Sequence, residues 1–424
     1  MKDIENSKKE APLKEAPMLG LVRMGGGATS LMWHHAAGLI KGQLWAWGNN
    51  TYGVLMKNIS GAGPGKRSSP VQVGTDSNWT SFIDAGSAGS YVSFAAKDDG
   101  TLWTSGYAAL GGLNQPGFPP SAVNRSSPTQ LPGSWSGSIA RNDSTIIATK
   151  ADGTLWTWGN NQSGQLGLNQ AYGPGDKKNR SSPAQIGTDT NWSIEEGGLS
   201  VGQEFSFAMK QDGTLWVWGK NDNYGFGNSQ PLSYARSSPT QIPGTTWASI
   251  HGGGGSSVNL AKKTDGTLWA WGNNSQGGLG QNNQTTYSSP KQVGTETTWA
   301  GVTVGGASAF VTKTDGTLWT WGGGDHGRLG HNNQTEYSSP RQIPGSWKTD
   351  HFSTASIDSS TAAIKADGTL WSWGQNEVGQ LGLNQNATSG TYNYSSPKQV
   401  GTNTNWLAVG GISATDKNFF ALRK

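Results

Sequence analysis

The sequence predicts an all-β fold: a seven-bladed β-propeller of four-stranded blades, closed by pairing of N- and C-terminal strands. Three observations predict it. One unit of about fifty residues recurs seven times. The 21 tryptophans fall almost entirely at fixed places in that unit. The chain also ends on half of a hairpin whose other half opens the first repeat.

The repeat is carried by three markers. Asp-Gly-Thr-Leu-Trp recurs at Asp99, Asp152, Asp212, Asp265, Asp315 and Asp367, with a degenerate copy, Lys41-Gly-Gln-Leu-Trp45, in front. Successive leucines (44, 102, 155, 215, 268, 318, 370) stand 58, 53, 60, 53, 50 and 52 residues apart, enough for one small four-stranded sheet each. Ser-Ser-Pro-x-Gln occurs seven times, ending on Gln72, Gln130, Gln185, Gln241, Gln292, Gln342 and Gln399, which read as a structural hydrogen-bonding position. A tryptophan follows each: Trp79, Trp135, Trp192, Trp247, Trp299, Trp347 and Trp406. Six copies add a second tryptophan two residues after the first, the exception being Ser105, and only Trp33 lies outside the pattern.

These markers define strands. In Ser206-Phe-Ala-Met-Lys-Gln-Asp-Gly-Thr-Leu-Trp-Val-Trp-Gly219, Asp-Gly joins two strands through a tight turn. Side chains alternate, so Trp216 and Trp218 share one face and Leu215 and Val217 the other. A strand apolar on both faces must be covered on both, which blades around an axis achieve and a sandwich with one wet face does not. The proline of Ser-Ser-Pro cannot donate to a ladder and fits an edge strand, and the following tryptophan marks a fourth strand. The terminal segment Phe419-Phe-Ala-Leu-Arg-Lys424 matches Phe205-Ser-Phe-Ala-Met-Lys210 but lacks its Asp-Gly. Gly42-Gln-Leu-Trp-Ala-Trp-Gly48 supplies the partner, so the two ends complete one blade and remove open sheet edges. Residues 39–424 are thus expected to be the propeller, and 1–38 an N-terminal arm, partly flexible.

Composition narrows the function. There is no cysteine, which excludes disulfides and thiol catalysis. A net charge of +4 over 424 residues is far from a phosphate-neutralising stripe, so nucleic acid is not a favoured partner. No apolar run is long enough to span a bilayer, and the mixed-charge start does not read as a signal peptide. Asn-x-Ser/Thr sequons, as at Asn78, Asn161, Asn191, Asn273 and Asn333, are dense enough to favour a bacterial, viral or cytosolic setting.

Units such as Trp156-Thr-Trp-Gly-Asn-Asn-Gln-Ser-Gly-Gln-Leu-Gly167 and Trp371-Ser-Trp-Gly-Gln-Asn-Glu-Val-Gly-Gln-Leu-Gly382 resemble the regulator-of-chromosome-condensation repeat, over residues 41–424. The Gly-Gln-Leu-Gly element persists as Gly277-Gly-Leu-Gly280 and Gly327-Arg-Leu-Gly330 and departs at Gly53-Val-Leu55, Gly111-Gly-Leu113 and Gly225-Phe-Gly227. The resemblance implies a seven-bladed propeller. It implies less about activity, since the family includes exchange factors for a small nuclear GTPase and a plant ultraviolet receptor. Neither the projecting wedge and acidic surface of the former nor the clustered Trp and Arg motif of the latter can be placed here. The arm segment 17–30 resembles glycine-rich leaders of marine bacteriophage structural proteins. That makes Met18, Leu19, Leu21, Met24 and Trp33 candidates for docking onto a larger particle.

No catalytic, cofactor or metal residues are predicted. Asp325-His326 with His331 comes nearest to a metal cluster and reads as loop polarity. Glu195 and Glu196 are adjacent, so on a strand they point to opposite faces and cannot share a proton. Gly252-Gly-Gly-Gly255 lacks the lysine and helix of a phosphate cradle.

Two patterns remain. A cation precedes Ser-Ser-Pro in four copies (Arg67, Arg125, Arg180, Arg236); in three, tyrosine stands there (Tyr287, Tyr337, Tyr394) and the cation follows proline (Lys291, Arg341, Lys398), suggesting a structural bridge to the neighbouring blade. The loops before Ser-Ser are long in four ring-adjacent copies (383–394, 56–67, 113–125, 168–180) and short in the rest, an arc on one rim that nominates Tyr172, Lys177, Lys178, Phe118, Tyr392 and Lys57 as partner-binding residues. The expected function is a non-enzymatic binding or structural propeller, presented on a virion or extracellular surface to a protein or glycan partner. The alternatives are a cytoplasmic scaffold or GTPase-regulator-like propeller, and a carbohydrate-binding, lectin-like propeller or carbohydrate-directed enzyme.

Overall fold

The computed structural model describes residues 41–424 apart from 51, 59–65, 83–91, 107–124, 143–144, 171–178, 203, 233, 253–256, 351–353, 358, 386–391 and 414–416. The 1–38 arm, with Met18, Leu19, Leu21, Met24 and Trp33, lies outside the described residues, as do Phe118, Tyr172, Lys177 and Lys178.

Among the described residues the strands form seven four-stranded antiparallel sheets, which pack as a ring of blades. Blade 1 comprises Trp79–Phe82, Val92–Lys97, Leu102–Gly106 and Arg125–Leu131. Blades 2 to 6 repeat that order, the strands opening on a tryptophan lying innermost and against one another, and the Ser-Ser-Pro strands lying outermost. In blades 3 and 6 the tryptophan itself pairs only as a bridge, Trp192 with Lys210 and Trp347 with Lys365, ahead of shorter inner strands. Blade 7 is assembled from both ends of the repeat region: Trp406–Ser413 and Asn418–Arg423 from the C-terminal side, Gln43–Gly48 and Arg67–Gln72 from the N-terminal side. The seam is a full antiparallel ladder from Gln43 opposite Arg423 to Gly48 opposite Asn418.

The core lies between blades. Each of seven buried clusters combines residues of two neighbours, as where Leu44, Ala46, Phe420 and Leu422 of blade 7 meet Trp79, Phe82 and Ala95 of blade 1. The alternation read from Leu-Trp-x-Trp explains this. The leucine faces the following blade, and the second tryptophan, wholly buried in six blades, faces the preceding one. At about 25 cal/mol per Å², each such indole contributes roughly 4–6 kcal/mol of gross burial.

Each Asp-Gly turn is stitched locally. In six repeats the aspartate Oδ1 accepts from the backbone N–H and the hydroxyl of the threonine two residues on, and that hydroxyl accepts from the first tryptophan's indole N–H; Asp152, Thr154 and Trp156 do so at 3.0, 2.6 and 2.8 Å. Hydrogen bonding to Thr154, its largest cause, holds the Asp152 carboxyl below its ordinary range. Each glutamine after proline stands opposite that same first tryptophan, as Gln292 opposite Trp269.

Candidate functional site

An antiparallel four-stranded blade has two ends. The Asp-Gly turns share one rim with the links that lead to the next blade's tryptophan; the long loops that follow Trp-Gly leave from the other. Both rims do structural work before any surface is left for a partner.

On the long-loop rim, the Gly-x-Leu-Gly element clamps the following blade at five junctions among the described residues. The second tryptophan donates its indole N–H to the x carbonyl of the preceding blade: Trp218 to Gln165, Trp271 to Gly225, Trp321 to Gly278, Trp373 to Arg328 and Trp47 to Gln380, at 2.7–2.9 Å. The closing glycine lies under that indole; a Cβ on Gly227 (φ +69°) would come within 2.5 Å of Trp271 Nε1. Two residues further on, a backbone N–H at positive φ donates to the first Ser-Ser serine of the next blade, as Asn169 to Ser237 and Asn384 to Ser68, both at 2.6 Å. An asparagine braces the loop from inside, Asn161 Oδ1 accepting from Leu166 N at 3.0 Å. Asn161 is only 1% exposed, which removes that sequon from the set open to glycosylation.

One junction departs from this pattern in two places at once. Ser105 of blade 1 replaces the tryptophan, and Met56 (φ 56°, 2% exposed) replaces the glycine beneath it. Ser93 and Ser105 both donate to the Val54 carbonyl, at 2.7 and 3.3 Å.

The Asp-Gly rim carries a feature missed in the sequence. Three residues before each glycine of the turn stands a cation, and in all seven blades it lies between two indoles. Lys150 Nζ is 3.7 Å from the Trp156 ring and 5.6 Å from Trp135, Lys313 is 3.9 Å from Trp319 and 4.9 Å from Trp299, and Arg423 fills the place in blade 7. In three blades a carboxylate completes the cage: Asp76 on Lys97 at 2.8 Å, and Asp189 on Lys210 and Glu296 on Lys313 at 2.7 Å. The signal was present as a basic residue at constant distance from Asp-Gly. Beside two of these cages open equivalent grooves, of about 430 Å³ between blades 7 and 1 and about 380 Å³ between blades 2 and 3.

The predicted partner residues divide. Tyr392 is 44% exposed. Lys57 lines the groove between blades 7 and 1, but its Nζ donates to the Gln72 carbonyl of its own blade; burial, then Arg67, lowers its pKa.

The His331 and Asp325 side chains weighed as metal ligands are engaged locally. His331 Nε2 lies 2.9 Å from the Thr320 hydroxyl, with its ring against Tyr337, and Asp325 pairs with Arg328 at 3.3 Å. The cations after proline do not bridge blades as expected. They stack on the tyrosine of their own strand, Arg341 over Tyr337 at 4.3 Å and Lys398 over Tyr394 at 5.5 Å, because residues four apart on a strand share a face. Glu195 and Glu196 also depart from expectation. They sit in a turn rather than on a strand, and burial followed by the Glu195 charge pushes the Glu196 carboxyl up to about 7.

Comparison with known proteins bears on what such a ring is. The family model described as regulator of chromosome condensation (RCC1) repeat matches residues 152–209, 265–311, 315–357 and 367–414. The chain is 26% identical over 265 residues to the mitochondrial RCC1 domain-containing protein RUG3 of Arabidopsis thaliana, a match covering 61% of this chain and 56%, about half, of that protein. The fold is similar to that of human WBSCR16 (TM-score 0.71, 18% identity, 90% of this chain and 99% of that one). It is similar also to Prp20p of Saccharomyces cerevisiae (TM-score 0.73, 17% identity, 91% and 92%), whose structure was described together with binding to Gsp1p and histones. The chain is a seven-bladed β-propeller, four segments of which match the regulator of chromosome condensation (RCC1) repeat.

Proposed function

We propose that this propeller is a non-catalytic protein-binding module, a scaffold or GTPase-regulator-like protein whose partner is engaged on the long-loop rim. The observation that carries the reading is the division of labour within each loop. At five junctions among the described residues the Gly-x-Leu-Gly half is committed to the clamp on the next blade, while the length of the remainder varies in sequence from seven residues in blades 4 and 5 to about twelve or thirteen in blades 6, 7, 1 and 2. Those four blades are consecutive around the ring, so their loops rise from one arc of a rigid support. The relatives favour this reading over presentation on a virion, and Prp20p supplies a precedent for protein partners on the same fold.

The test is a pull-down with nucleotide-free small GTPases as bait, and in parallel affinity capture by the intact chain, each repeated with residues 171–178 deleted. That deletion spares Asn169 and hence the clamp on Ser237. Loss of a partner with unchanged thermal stability supports the reading, and unchanged capture removes the rim from it. Glycan-array binding without protein capture would favour the lectin-like alternative.

A further inference from the structure

The seven caged cations are not equivalent. In blades 1, 3 and 5 the chain supplies its own carboxylate to the caged lysine, and those lysines keep only 9–13% of their side chains exposed. Blade 7 retains the whole arrangement except that carboxylate. Its linking loop, Gly401-Thr-Asn-Thr-Asn-Trp406, aligns with Gly74-Thr-Asp-Ser-Asn-Trp79 and Gly187-Thr-Asp-Thr-Asn-Trp192, so Asn403 stands where Asp76 and Asp189 stand.

Arg423 occupies the cation position, its Cζ 3.9 Å from the Trp45 ring and 5.7 Å from Trp406. Among the described residues its guanidinium has no hydrogen-bond or ion-pair partner, and its Nε is buried without an acceptor. A guanidinium held by two indoles presents its remaining donors in fixed geometry, suited to a bidentate carboxylate. The adjoining blade 6 offers a second such charge. Lys365 is caged 3.7 Å from Trp371 and 5.4 Å from Trp347, and its linking loop, Pro344-Gly-Ser-Trp347, contains no acid.

We propose that Arg423, gripped by Trp45 and Trp406, receives a carboxylate from an acidic segment of a partner protein, with Lys365 taking a second. The chain itself identifies the occupant, because it places a carboxylate at the equivalent point of three other blades. This surface lies on the Asp-Gly rim, opposite the long loops, and stands independently of the loop-rim reading.

Decaglutamate serves as the probe, titrated calorimetrically into the full chain at low ionic strength. Arg423→Met should weaken binding at least tenfold. Asn403→Asp should do the same while leaving the thermal midpoint unchanged or higher, because it rebuilds the ion pair seen in blades 1, 3 and 5. Lys97→Met, whose cage already holds Asp76, should leave the affinity within about twofold. The proposal is overturned if the wild-type chain does not bind the peptide, if Asn403→Asp binds it as the wild type does, or if inorganic phosphate binds more tightly than decaglutamate.

Discussion

Installing the missing indole at Ser105 tests whether the junction pattern is causal. Five junctions set a glycine at positive φ beneath a buried tryptophan, whereas the junction of blades 7 and 1 sets Met56 beneath Ser105, which is wholly buried. Ser105→Trp alone drives a bicyclic ring into the volume Met56 fills, and overpacking of that kind costs about 1–3 kcal/mol. Met56→Gly alone empties a site only 2% exposed, at about 2–5 kcal/mol, less about 1 kcal/mol recovered from the non-glycine positive φ.

In the double variant the glycine accepts that backbone conformation, the indole fills the space, and its N–H reaches the Val54 carbonyl, so the net loss falls to about 1 kcal/mol or less. The coupling is then about 3 kcal/mol. A melting entropy of roughly 2.1 cal/mol/K per residue makes each kcal/mol worth about 1 °C in this chain. Differential scanning calorimetry should show both single variants melting about 2–3 °C low and the double variant within about 1 °C of wild type. If the double variant loses the sum of the singles, or Ser105→Trp alone melts unchanged, the compensation argument fails.

Two further outcomes follow from the same geometry. Trp321→Phe removes a buried donor from the Gly278 carbonyl and should cost about 2–4 kcal/mol, whereas Trp319→Phe, whose N–H meets Thr317 in a half-buried site, should cost about 1 kcal/mol; equal shifts in calorimetry would contradict the clamp. Glu196 is raised from 4.5 to about 7, so the native state favours the protonated form. Its contribution is fully present below pH 4.5 and is lost as pH rises through 7, a penalty on the order of 3 kcal/mol at pH 8. Glu196→Gln should therefore raise the melting midpoint at pH 8 and leave it nearly unchanged at pH 5; a shift of equal size at both would show that ionisation is not the cause.

The blades and their closure were legible because repetition averages out local ambiguity. Seven aligned copies distinguish Leu215 from Trp216 by face, and the unmatched half-hairpins at Gly42 and Phe419 state the closure outright. The cation cages were not read. Lys150 and Trp156 belong to one hairpin, but Trp135 enters from the inner strand, and only the third dimension makes the lysine a filling between two rings. The role of Ser-Ser-Pro went unread for the same reason: the first serine's backbone carbonyl accepts from an N–H of the blade before, as Ser68 does from Asn384. The tyrosine–cation pairs were attributed to the wrong span, although a spacing of four on a strand already put Tyr337 and Arg341 on one face. Glu195 and Glu196 were placed by assuming a strand where the chain turns into the inner strand Leu199–Val201.

The central claim is that a C-terminal strand closes the ring by pairing with an N-terminal one. The direct measurement is hydrogen exchange on the intact chain and on a chain ending before Phe419, which lacks the partner of Gln43–Gly48. Closure predicts that truncation strips protection from blade 7 first, including the amides of Trp45 and Trp47, and splits a single cooperative unfolding transition into separate ones. Unchanged protection of Gln43–Gly48 with one undisturbed transition would mean that the terminal strand does not close the ring.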